Sequence, residues 1–72
     1  MREQDKARAI LDAITDLHKN ETFERALGRM VRNRRGSYED YMDIIAEIRE
    51  LATKKKIDLL EAAKRIVKDQ GP

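Results

Sequence analysis

Seventy-two residues without a cysteine exclude a disulfide framework and a thiolate zinc site, and they place the chain near the lower limit for a self-sufficient hydrophobic core. Sixteen basic residues stand against 14 acidic ones, and a net charge of +2 is too balanced for a nucleic-acid-binding tail. The longest apolar runs are three residues, as in Ala9-Ile10-Leu11, where a membrane span requires roughly 20; no signal-type stretch opens the chain, so one cytoplasmic domain over residues 1–72 is expected.

In chain order, four segments repeat apolar residues at helical spacing and none alternates as a strand does. The first is expected over about 3–19, with Ala7, Ile10, Leu11, Ile14 and Leu17 inward and Asn20 as its stop. The second is expected over about 22–35: Thr22 caps it, Phe23, Ala26, Leu27, Met30 and Val31 face inward, and Gly36 ends it. The third, about 38–53, begins with Ser37 and Asp40 spaced as a capping box, and buries Tyr41, Ile44, Ile45, Ile48, Leu51 and Ala52. The fourth, about 59–69, has Asp58 and Glu61 as a second box, Ile57 and Ala62 as a staple, and Leu59, Leu60, Ala63, Ile66 and Val67 inward. Gly71-Pro72 closes the chain. Short linkers join these segments, so the prediction is an all-α protein, a compact bundle of three to four short helices.

Charge alternates in sign along this bundle. Residues 25–36 hold five arginines and no acid, a net of +5, whereas residues 37–53 hold Arg49 against five acids, a net of −4. At about 100° per residue, Arg25, Arg29 and Arg32 share a stripe opposite the apolar face of their helix. Glu39, Asp43, Glu47 and Glu50 form the corresponding stripe on the third helix. Arg34 is the exception: it falls beside Phe23 and Leu27, so either the helix frays near Asn33 or Arg34 snorkels past the core edge.

Catalysis is not expected. His18 is the only histidine and Ser37, the only serine, is already used as a cap, so no multi-histidine site and no nucleophilic triad can be built. His18 is expected to pack at the edge of the first helix or to oppose its C-terminal dipole. Gly28, Gly36 and Gly71 are isolated, so there is no phosphate loop. The carboxylate row has the residue type for metal or acid–base work, but on one surface helix it is expected to be a solvated face. No metal, cofactor or small-molecule substrate is therefore expected.

Two binding readings remain. Leu51 to Ala63 has the outline of a helix-turn-helix, yet Lys56 stands where glycine is usual, Lys55 where an apolar residue is usual, and the second helix opens Asp58-Leu59-Leu60-Glu61, without base-reading groups. It reads as an ordinary helical corner. A nucleic-acid-associated regulator, gripping phosphates through Arg25, Arg29, Arg32, Arg34, Arg35, Lys54, Lys55 and Lys56, is the second reading. The first is a non-catalytic protein-interaction or assembly module, a homodimer in the simplest case, in which the arginine stripe of one chain meets the carboxylate stripe of another. Surface ion pairs contribute only about 0–1 kcal/mol each, so such a dimer requires an apolar seam. Ile57, Leu60 and Val67 are candidates for it, and Met30 and Met42 are candidates for adaptable contacts.

Overall fold

Three of the four helices begin where a side chain satisfies their free N–H groups. In the computed structural model, which describes residues 1–70, the helices are α1 (Glu3–Thr15), α2 (Phe23–Asn33), α3 (Tyr38–Lys55) and α4 (Leu59–Gln70). Thr22 accepts the Arg25 N–H at 3.2 Å ahead of α2. Ahead of α3 the capping box is complete: Ser37 Oγ accepts the Asp40 N–H at 3.1 Å and Asp40 Oδ2 accepts the Ser37 N–H at 2.8 Å. Asp58 Oδ1 accepts the Glu61 N–H at 2.8 Å, the forward half of the expected second box. The expectation for Gly71-Pro72 lies outside the described residues.

Both α2 and α3 end in a Schellman motif. After α2, the Gly36 N–H donates to Val31 O at 2.8 Å and the Arg35 N–H to Arg32 O at 2.9 Å. After α3, the Ile57 N–H reaches Ala52 O at 3.0 Å and the Lys56 N–H reaches Thr53 O at 3.4 Å. The left-handed position that such ends usually give to glycine is held by Arg35 (φ 60°) and Lys56 (φ 57°). Gly36, expected as the stop of α2, follows that position and supplies the N–H that closes the helix end. Its role is room, because a Cβ there would sit 2.6 Å from Val31 Cγ1.

The first helix stops four residues earlier than periodicity predicts. Thr15 Oγ1 donates back to Leu11 O and Asp12 O, and a connection over 16–22 follows. Leu17 still packs on the core, but from the connection. His18 is exposed there, beyond the end of α1 and not on its face, with its N–H on Glu21 Oε1 at 3.3 Å. The inward face of α1 is also rotated: Ala9, Ile10 and Ala13 are buried, while Ala7 and Leu11 are half-buried. The cause is position, since α1 packs against both α2 and α4, and small residues let two neighbours approach.

The remaining stripes fold inward as predicted, around Leu27, Ile44, Ile45 and Ile48, with Ala62 added on α4. α3 packs on α4 and more lightly on α2, so the helices close a ring of four: α1–α2–α3–α4–α1. The chain is an all-α bundle, with no strand among the described residues. No helix among them is long and apolar enough to cross a membrane.

Candidate interaction site

The five arginines of the second segment divide into two groups once the helices are packed. Arg29 is held by the connection between α1 and α2. Its Nε and Nη2 form a fork on Glu21 at 3.2 and 2.8 Å, Nη1 donates to Asp16 Oδ2 at 3.0 Å, and Nη2 donates to the Asp16 backbone O at 3.1 Å. The Arg29 hydrogen bond is the chief cause that holds the Glu21 carboxyl below its ordinary range, with the His18 N–H adding to it. The guanidinium in turn is pushed up by Glu21 first and Asp16 second. Arg29 is therefore a clamp on residues 16–22, which is also why α1 cannot run on through them.

Arg34 resolves its conflict by ending the helix. It sits at the C-cap of α2 and crosses to α1, Nη2 on Asp12 Oδ2 at 3.0 Å and Nη1 near Asp5 Oδ1 at 3.7 Å. Arg25, Arg32 and Arg35 form the second group: all three are exposed and none has an ion pair among the described residues. Of the expected stripe, Arg29 is thus paired with residues of the 16–22 connection, and Arg25 and Arg32 are left without an ion pair among the described residues, with Arg35 just past the helix end.

Lys54, Lys55 and Lys56 are exposed at the end of α3. Arg49 of α3 pairs with Glu24 of α2 at 3.4 Å, so α3 has passed the start of α2 before it reaches Lys54. Arg35 lies at the far end of α2.

All four members of the acidic row, Glu39, Asp43, Glu47 and Glu50, are exposed and without an ion pair among the described residues. Glu39–Asp43, Asp43–Glu47 and Glu47–Glu50 are like-charge neighbours three or four residues apart. Each such pair costs an isolated helix roughly 0.2–0.5 kcal/mol. Among the described residues, no group of three or more His, Cys, Asp or Glu side chains is placed to hold a metal ion.

Between the arginine stripe and α3 lies an open groove of about 660 Å³, lined among others by Arg25, Gly28, Arg32, Asn33, Tyr38 and Tyr41. Gly28 forms part of its floor, because a Cβ there would meet the Tyr41 ring at 3.8 Å. Tyr41 is half-buried, and burial followed by the charge of Glu24 pushes its phenol up, so it stays protonated at neutral pH. The Tyr38 and Tyr41 rings are 6.2 Å apart and tilted by 33°. Tyr38 is 75% exposed and Met42 40%, and these are the large exposed apolar side chains of the bundle. Ile57, Leu60 and Val67 are half-buried against the core, as Leu59 is, and Met30 of α2 is buried.

Tyr38 has no weight in the sequence pattern, since it falls off the Tyr41–Ile45–Ile48 stripe and reads as a surface residue. That offset was the available signal: a tyrosine and a methionine one helical turn apart, both off the core face. Compared with known proteins, the chain matches no family model, no curated protein and no solved structure.

Proposed function

We propose that the protein is a small non-catalytic assembly module that self-associates through its α2–α3 face. One observation carries this reading. Arg25 and Arg32 on α2 line a groove together with Tyr38, and α3 carries beside it the exposed Met42 and exposed carboxylates. Two unneutralised ridges of opposite sign are thus available on the two helices, with exposed apolar side chains between them. The apolar side chains supply the seam that surface ion pairs alone cannot replace. The two ridges cannot neutralise each other within one molecule, because each points away from the core that joins its helices. A second chain of the same sequence offers both complements.

Sedimentation mass measured from micromolar to millimolar protein, at about 0.05 and 0.5 M salt, tests the reading. Association that weakens as the Debye length shrinks is the expected result. A strict monomer throughout removes it.

Phosphate binding is the second reading, and one observation favours it: Arg25, Arg32, Arg35, Lys54, Lys55 and Lys56 are all exposed and without an ion pair among the described residues. Against it, Arg35 and the lysines lie toward opposite ends of α2, with the Glu24–Arg49 pair between them. A duplex titration at two salt concentrations decides: binding that falls steeply with salt supports this reading, and no binding at low salt sinks it.

A further inference from the structure

From the placement of the two ridges we infer a closed two-fold dimer, not an open chain of subunits; this rests on the self-association proposed above. Ridges on opposite faces of a molecule join head to tail and continue without limit. Here helical spacing places Arg25 and Arg32 of α2 and Glu39 and Glu50 of α3 on one face. At about 100° per residue, α3 turns from Tyr38 and Arg49, beside α2, through Met42 to Glu39 and Glu50, with Asp43 and Glu47 turned further away. The contact of Arg49 with Glu24 fixes which side of α3 faces α2. On α2, Gly28 lies toward Tyr41, and Arg25 and Arg32 lie outward from it while still lining the groove. The face therefore reads, from one edge to the other, Arg25 and Arg32, then Tyr38 and Met42, then Glu39 and Glu50.

A two-fold axis through the middle band lays α2 of each chain over α3 of the other. Both arginine edges then meet both carboxylate edges at once, and the axis brings the Tyr38 and Met42 side chains of the two chains together along the seam. One seam satisfies both ridges, and no charged edge is left over to recruit a third chain. Glu39 and Glu50 are the acids that meet the arginines. Asp43 and Glu47 lie outside the contact.

Charge exchange tests this. The variant R25E/R32E and the variant E39K/E50K should each dimerise at least about tenfold more weakly than the parent, because like charges then face each other twice. Mixed in equal amounts, they should recover a species of two chains and no larger. All four positions are exposed, and circular dichroism of each variant checks that the bundle is intact. A parent that is monomeric overturns the self-association reading itself. A parent whose mass grows past two with concentration leaves that reading in place and overturns the two-fold arrangement. So does a dimer that R25E/R32E leaves unchanged, or a mixture that stays monomeric.

Discussion

The two central glycines should respond to alanine with opposite signs. At Gly36 a Cβ would lie 2.6 Å from Val31 Cγ1 and 3.1 Å from Val31 O. Neither atom can yield cheaply. Val31 is 2% exposed and β-branched, so a helix leaves it essentially one side-chain rotamer, and its carbonyl accepts the Gly36 N–H that closes the end of α2. Gly36→Ala is then an overpacking change with a cost of about 1–3 kcal/mol. For a domain this small, that lowers Tm by roughly 4–8 °C per kcal/mol. At Gly28, by contrast, the nearest atom to a new Cβ is Tyr41 Cε1 at 3.8 Å, an ordinary contact. Gly28→Ala inside α2 should therefore stabilise by about 0.5–1 kcal/mol through the backbone alone. Thermal unfolding followed by circular dichroism measures both. The cause is isolated by adding Val31→Ala: with Cγ1 gone, most of the Gly36→Ala penalty should vanish, a coupling of at least about 1 kcal/mol in the double-mutant cycle. If Gly36→Ala is harmless, or if its cost is the same in both backgrounds, the close approach to Val31 is not what this position serves.

Three further outcomes follow from the polar contacts. Because Glu21 and Asp40 sit below their ordinary values of 4.5 and 3.8, the folded state binds fewer protons than the unfolded one as these groups titrate. Their contribution to stability is complete above those ordinary values and is lost as pH falls from them through the lowered folded-state ones, so urea midpoints should hold level near neutral pH and decline below about pH 4.5. Arg29→Ala should raise amide exchange in residues 16–22 and leave α3 and α4 as protected as before, and it should also reduce the Glu21 share of the acid loss to what the His18 N–H supplies. Equal loosening everywhere would show that Arg29 is not a local clamp. Ile48→Ala, in the fully buried centre of α3, should cost about 2–5 kcal/mol by denaturant titration, with a smaller loss if the neighbouring helices collapse into the space.

The features legible along the chain were those set by contacts within a few residues. Ser37 and Asp40 are three apart, and their spacing alone predicts the capping box that begins α3. The stripes of α2, α3 and α4 follow from helical period, as do the capping roles of Thr22 and Asp58. The blocks of opposite charge were equally plain in the sequence. Tertiary structure decided what each charge does. Arg29 reaches Asp16 across 13 residues and Arg34 reaches Asp12 across 22. No periodicity encodes those reaches, and they separate the two arginines that hold the fold from Arg25, Arg32 and Arg35, which remain available. The same holds for the end of α1, which is set by a guanidinium from α2 more than by its own Asn20. It holds for Gly36, whose need for space comes from Val31 packed beneath it. Local hydrogen bonds and burial patterns specify helices; which exposed residues share a face depends on how those helices cross, and only packing settles that.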